Sequence, residues 1–260
     1  MRPKALILHA NGTNRHLEAA QAFELVGAEA ECVHLNELRA GARRWADYQI
    51  LVLPGGFSYA DALGAGKLLA LDLAIYFADE ARAFVENGKP VLGICNGFQA
   101  LVKAGLLPGA GNGHAASAAT LTFNAGGRFE CRWVTLQPRS TRCLWTNGLS
   151  QLITCPVAHG EGNFTLAGPA GLSALAQADQ IALTYVQPSG SPAGGQYPAN
   201  PNGSAGDIAG VCSPRGNVLG LMPHPEDHVF ACQHPRWTRG ESGRLGLPLF
   251  ENGVQYARQM

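Results

Sequence analysis

Residues 90–102, PVLGICNGFQALV, place the strongest constraint on how this chain can fold. An apolar run of the kind found in buried strands ends on Cys95, and a helical pattern starts directly after it. Gly93 and Gly97 lie two positions to either side of the cysteine. A strand that turns sharply into a helix presses these neighbours against the adjacent strand and helix, where no side chain fits. The order is that of a nucleophile elbow, whose central residue is held in strained backbone geometry. The electropositive helix N-terminus favours thiolate over thiol there. It also points the Asn96 N–H to where an oxyanion would form. Taken alone, the segment also fits, less well, a strand ending in an inert buried cysteine.

The elbow belongs to a run of alternating elements. KALILH, AECVHL, YQILVLP and PVLGIC read as short buried strands, while HLEAAQAFELVG, LDLAIYFADEARAFVENG and GFQALVKAG read as helices. Such alternation implies right-handed crossovers and a mostly parallel central sheet flanked by helices, an α/β fold. The second half changes character. LTFNAGGRFECRWVTLQP alternates around Gly126-Gly127, IALTYVQ reads as a strand, and GVCSPRGNVLGLM reads as a hairpin turning at residues 215–217. These add antiparallel strands, and LPLFENGVQYARQ reads as a closing helix. Residues 189–206, rich in Gly, Pro, Ser and Asn, read as a long loop of functional or mobile character. With no repeat and no linker, residues 1–260 are expected to form one domain.

A thiolate needs a base, and the base needs an orienting group. Among the eight histidines, His224 stands out in LGLMPHPEDH, between Pro223 and Pro225. A residue before proline is held extended, and in an extended chain positions i and i+2 face the same way. Glu226 is therefore expected beside His224, completing a Cys95–His224–Glu226 triad; the other reading is a proline-rich surface turn. His224, Glu226 and His228 suggest a metal only if the segment is helical, which Pro225 opposes. No metal is expected. The loop after ILVLP carries Gly55-Gly56 to the same sheet edge as Cys95, where the Gly56 N–H is placed as a second oxyanion donor. Gly64, Gly66 and Lys67 echo a phosphate loop, but Asp61 and Leu68 stand where that motif needs Gly and Ser/Thr.

Composition narrows the partners. Lys plus Arg and Asp plus Glu both number 19, so no basic excess attracts nucleic acid or an anionic membrane. The longest apolar region, LLALDLAIYFA, is interrupted by Asp72, and the N-terminal apolar run stops too early for a signal peptide. The seven cysteines are widely spaced with no C-x-x-C pair, which suggests neither a disulfide framework nor a zinc site. A reducing cytoplasm is the expected compartment.

LPGG, GICNGFQ and MPHPE, in that order, resemble the class I glutamine amidotransferases. PGGFSYADALGAG, PVAHGEGNF, YPANPNGSAGDIAGV and GNVLGLMPHPE narrow the resemblance to the glutaminase subunits of phosphoribosylformylglycinamidine synthases. It spans nearly the whole chain. The resemblance implies a flavodoxin-like sheet. Cys95 would be the nucleophile, His224 the base and Glu226 its orienting group. Gly56 and Asn96 would stabilise the oxyanion, Gln99 would contact L-glutamine, and His159 would shape the pocket. It implies no cofactor in this chain, with ATP and magnesium on a separate synthetase subunit, and in multi-subunit systems a small third protein. Two departures stand out. Ala60 occupies a position where Gly is common, and residues 227–246 are longer and more basic than in short members. The other elbow-cysteine reading, a hydrolase or stress protein similar to the PfpI group, commonly has His directly after the nucleophile; here Asn96 stands there.

Overall fold

The computed structural model describes residues 2–109, 119–242 and 245–260. Its strands are β1 (Lys4–His9), β2 (Glu29–His34), β3 (Ile50–Leu53), β4 (Val91–Ile94), β5 (Ala119–Thr122), β6 (Glu130–Pro138), β7 (Ile153–His159), β8 (Asn163–Leu166), β9 (Ile181–Val186), β10 (Ile208–Cys212) and β11 (Val218–Leu221). The helices are α1 (His16–Leu25), α2 (Leu35–Arg39), α3 (Lys67–Ile75), α4 (Ala78–Glu86), α5 (Asn96–Lys103), α6 (Pro169–Gln177) and α7 (Leu247–Ala257).

Nine strands form one sheet in the order β2-β1-β3-β4-β11-β10-β9-β6-β7. The first five run parallel, and every pairing from β11 onward is antiparallel. Half of the pairings in this sheet are thus antiparallel, a larger share than the repeating first half of the chain suggests. β3, β4 and β11 are buried at every position, as expected of parallel strands covered on both faces. α1 packs with α7, and α3 packs with α4 and α5. Phe23 meets Trp145 and Phe250 edge to face, with ring centroids 6.3 and 5.2 Å apart, and these rings seal α1 and α7 over the core.

Three expectations are modified. The helix read over residues 71–88 is two helices, broken at Tyr76-Phe77, where Phe77 leaves helical geometry and turns its ring against Trp45. The strands flanking Gly126-Gly127 do not pair with each other. β5 pairs with β8 in a separate two-stranded sheet, and β6 enters the large one. Residues 189–206 hold no long strand or helix, yet they are pinned: Asp207 accepts from the Gly194 and Gly195 amides at 2.8 Å each, and Asn200 donates to the Ser204 carbonyl. The β10–β11 hairpin is present, with Gly216 at φ +75 in its turn. His114, one of the histidines considered as a base, lies outside the described residues, as do residues 243 and 244 of the basic C-terminal segment. Among the described residues no helix is long and apolar enough to cross a membrane.

Candidate active site

Strand order places the chemistry. β3, β4 and β11 are adjacent and parallel, so the residues that follow them gather at one edge: Gly55-Gly56, Cys95 and His224. Residues more than a hundred positions apart meet because their strands are neighbours.

Cys95 caps α5 with φ 49 and ψ −103, a conformation that costs about 1–3 kcal/mol for a residue with a side chain. Its backbone is held by Cys95 N donating to Leu221 O and by Gln99 N donating to Cys95 O, at 2.8 and 3.0 Å. The flanking glycines are required by contact. A Cβ on Gly97 would lie 1.9 Å from Leu53 O, and one on Gly93 would lie 2.4 Å from Leu101 Cδ1 and 2.9 Å from Gly97 O. The turn closes only without those side chains.

His224 and Glu226 are buried and joined by a 2.7 Å bond from Nδ1 to Oε1. The local route differs from the extended one expected. Residues 225–227 form a 3₁₀ turn closed by Asp227 N donating to His224 O, and this turn folds Glu226 back onto the imidazole. His224 itself keeps non-helical geometry, as its place before proline demands. Its N–H donates to Pro156 O at 2.8 Å, tying it to β7. A Cβ on Gly55 would fall 2.5 Å from His224 Cε1 and 3.5 Å from Cys95 Cβ, so imidazole and cysteine converge over that glycine. Burial opposes protonation of His224, but the Glu226 carboxylate and then the Cys95 sulfur outweigh it and hold its pKa well above the ordinary value. In the resting geometry the Cys95 thiol reaches the Ala158 carbonyl at 3.7 Å, and His224 Nε2 has no hydrogen-bond partner among the described residues. Catalytic hydrogen bonds are commonly loose before substrate arrives.

A cavity of about 150 Å³ opens beside Cys95, lined by residues that include Gly56, Asp61, Gln99, His159 and Glu161, a size that takes a small organic molecule. Among the described residues the amides of Gly56 and Asn96 donate to no protein acceptor. The Asn96 side chain accepts from Ser58 N at 3.1 Å and donates to Asp61 at 2.8 Å and Gln99 at 3.1 Å. Gln99 is buried, and its Nε2 donates to Glu161 O at 2.7 Å. Asp227 is 4.0 Å from His224 Nδ1 and is paired with Arg15 at 3.4 Å; burial and then Glu226 raise its pKa to about 6.

Two features escaped sequence reasoning. β7 stands at the far end of the sheet, yet its Pro156 and Ala158 carbonyls touch His224 and Cys95. Asn124 and Asn202 pack against His159. PVAHGEGNF, which covers Pro156 to His159, and NPNGS, in the loop at 200–204, carried a signal that these segments matter, but not for these contacts. For a metal, His224, Glu226 and Asp227 present donor atoms within 4.8 Å of one another. The imidazole Nδ1 is already engaged by Glu226, and both His228 nitrogens face backbone carbonyls, of Thr154 and Ser242, rather than this group.

Comparison with known proteins agrees with this geometry. Residues 2–257 match the family described as the CobB/CobQ-like glutamine amidotransferase domain. A phosphoribosylformylglycinamidine synthase subunit PurQ from Treponema denticola is 53% identical, over 98% of this chain and 99% of that protein. The subunit of the same name from Dehalococcoides mccartyi is 45% identical, over 99% of this chain and 98% of that protein. Among solved structures, one described as PurLQS from Thermotoga maritima aligns with a TM-score of 0.75 and 31% identity, covering 98% of this chain and 99% of that one. A glutamine amidotransferase from Thermotoga maritima aligns at a TM-score of 0.53 and 17% identity, covering 92% of this chain and 82% of that one, and shares the α/β fold with its mixed sheet. This chain belongs to the glutamine amidotransferases, within the PurQ family of phosphoribosylformylglycinamidine synthase subunits.

Proposed function

We propose that this chain is the glutaminase of a phosphoribosylformylglycinamidine synthase and that Cys95, His224 and Glu226 are its catalytic residues. The observation that carries the reading is the meeting of a strained elbow cysteine with a buried His–Glu pair at one sheet edge, in a chain 53% identical to a PurQ subunit over nearly its full length.

The geometry performs the reaction in two halves. The Cys95 sulfur sits at the positive end of α5 and attacks the side-chain amide carbon of L-glutamine. The oxygen that becomes negative is met by the free amides of Gly56 and Asn96. His224, held protonated by Glu226, gives its proton to the departing ammonia, leaving a γ-glutamyl thioester on Cys95. His224 then takes a proton from water, which attacks the thioester, and glutamate leaves. Gln99, fixed by Asn96 and Glu161, presents its amide to the substrate from the cavity wall. His159 shapes that wall. Residues 1–260 act as one domain, a reading supported by the continuous sheet and core.

Ammonia is mostly protonated at neutral pH, so free release wastes it. The product passes to an ATP-dependent synthetase subunit that holds ATP and magnesium and amidates formylglycinamide ribonucleotide, in the cytoplasm. The Thermotoga structure described as PurLQS supports partners of the PurL and PurS kinds, the latter the small third protein.

The test reconstitutes the chain with its synthetase. Cys95→Ala is expected to lose glutamine-dependent amidation by a factor of at least about 10⁴ while ammonia-dependent amidation persists. Glutamine-dependent turnover by Cys95→Ala within tenfold of the parent would overturn the assignment.

A further inference from the structure

His159 ends β7, is 2% exposed and lines the cavity beside Cys95. Its protonation can be read from its neighbours. Asn124 Nδ2 donates to Arg128 O and His159 O at 2.9 and 2.8 Å, and Asn124 Oδ1 accepts from Gly162 N at 2.9 Å. Those backbone groups cannot exchange roles, so the amide has one orientation. The same Oδ1 lies 3.1 Å from His159 Nδ1, and an acceptor there requires Nδ1 to carry hydrogen. On the opposite side, Asn202 Oδ1 accepts from Ser204 N at 3.1 Å and Ser204 Oγ at 2.7 Å. Its Nδ2 donates to the Tyr185 hydroxyl at 3.1 Å and faces His159 Nε2 at 3.5 Å. A donor there requires Nε2 to carry a lone pair.

We propose that Asn124 and Asn202 are positioning residues that lock His159 as the neutral Nδ1–H tautomer, so that His224 is the one imidazole beside Cys95 to take up charge. The proposal deepens the glutaminase reading and rests on it. The charged and titratable groups that face His159 are His224, Glu130 across the β6–β7 ladder, and Tyr185 through Asn202; Cys95, Asp61 and Glu161 share its cavity. Burial, and then His224, push the His159 pKa down to about 4, in keeping with a neutral ring. Gly162 packs against it so closely that a Cβ there would lie 2.4 Å from Nδ1, which confines the ring. A charged His159 would oppose the His224 imidazolium and compete with it for the Cys95 thiolate.

Asn202→Asp reverses the lock without changing shape. The Tyr185 hydroxyl turns to donate to the new carboxylate, the Ser204 bonds are kept, and Nε2 now faces an acceptor that favours the imidazolium. The first readout is the ¹⁵N ring spectrum of the full-length chain at pH 7, with His159 assigned by its loss in His159→Gln. The parent is expected to show protonated Nδ1 and bare Nε2, and Asn202→Asp to show both protonated. In the complex with the synthetase, Asn202→Asp is expected to lower kcat for glutamine by about 10- to 100-fold at pH 7 and to move the acid limb of the pH profile upward. KM should change less. In a His159→Gln background the same substitution should cost nothing further. A parent His159 found as the Nε2–H tautomer or as imidazolium overturns the proposal, as does an equal loss from Asn202→Asp when no imidazole is present. The spectrum stands apart from activity, so failure of the glutaminase reading would show separately.

Discussion

Glu226→Gln separates the two things a buried carboxylate does. Glu226 is 1% exposed, gives Oε1 to His224 Nδ1 at 2.7 Å, and leaves Oε2 with no hydrogen-bond partner among the described residues. The substitution keeps the shape and removes the charge. Opposite charges about 4 Å apart at an effective dielectric of 20 attract by about 4 kcal/mol. That is about a thousandfold in rate if the whole attraction operates only when His224 is charged. Removing the carboxylate of a comparable triad costs up to about 10⁴. Glutamine-dependent amidation is therefore expected to fall between about 10² and 10⁴-fold, with the ammonia-dependent rate of the same complex unchanged.

Stability follows a different course. His224 has its folded pKa raised above its unfolded value, so its contribution is fully present below the unfolded value and is lost as pH rises through the folded one. Glu226→Gln abolishes the Glu226 part of that rise. The stability gap between parent and variant should be widest below about pH 6.5 and close as the medium becomes alkaline, because both chains then bury a neutral imidazole and the variant no longer buries a carboxylate with an unpaired oxygen. Parallel glutaminase and thermal-unfolding series across pH test both parts. A glutamine-dependent rate within threefold of the parent, or a stability gap that widens with pH, refutes the reasoning.

Two further outcomes are expected. Ala60 has φ +56 in a run of left-handed residues, so Ala60→Gly should stabilise the chain by about 1 kcal/mol or less once the added freedom of the unfolded glycine is counted; a lower melting temperature by calorimetry would sink this. His159 has a folded pKa of about 4 against an unfolded value of about 6.5. The unfolded chain therefore binds more protons between those values and stability should climb with pH across them, by on the order of 3 kcal/mol. Asp227, raised to about 6 by burial and then by Glu226, works in the opposite sense over an overlapping range, so the measurement is the parent profile minus that of His159→Gln: this difference should climb with pH, and the variant alone should lack the climb and fall.

What could be read from the sequence was what local chemistry decides. Gly93-x-Cys95-x-Gly97 announces its turn because the clash that excludes side chains involves the strand before it, the helix after it and the strand beside it. The pairing of Glu226 with His224 was legible as proximity but not as geometry. Proline before and after His224 marks a constrained backbone, yet whether the chain continues extended or closes a 3₁₀ turn depends on contacts with β7, through Pro156 O, that no local pattern records. The Ala158–Gly162 wall was marked by PVAHGEGNF, but the contacts its strand makes with Cys95 and His224 were hidden for the same reason. Among the described residues its strand pairs only with β6, at the sheet's edge, and nothing in its composition tells that the edge folds back against residues after β4 and β11. Residues 189–206 looked structureless because turns held by side-chain amides have no period; their order lies in Asn200, Asn202, Ser204 and Asp207.

Strain in this molecule is concentrated around one cavity, and Asn96 ties its parts together. Cys95 is one strained residue; Tyr59, Ala60 and Asp61, all at positive φ, are three more. At about 1–2 kcal/mol for each left-handed residue and more for Cys95, their sum is comparable with the whole net stability of an ordinary domain, about 5–15 kcal/mol. Such a turn persists only where it is held from outside. Asn96 holds it, accepting from Ser58 N and donating to Asp61 Oδ1 from either end of its amide. Its backbone N–H, at the first position of α5 directly after Cys95, meanwhile donates to no protein acceptor among the described residues. One residue thus serves two purposes through different atoms: the side chain fixes the loop that carries the cavity wall, and the main chain offers the proposed oxyanion donor. A smaller residue at position 96 would keep that donor and release the loop, which is why the side chain there is buried and fully hydrogen-bonded although the proposed chemistry uses only its amide.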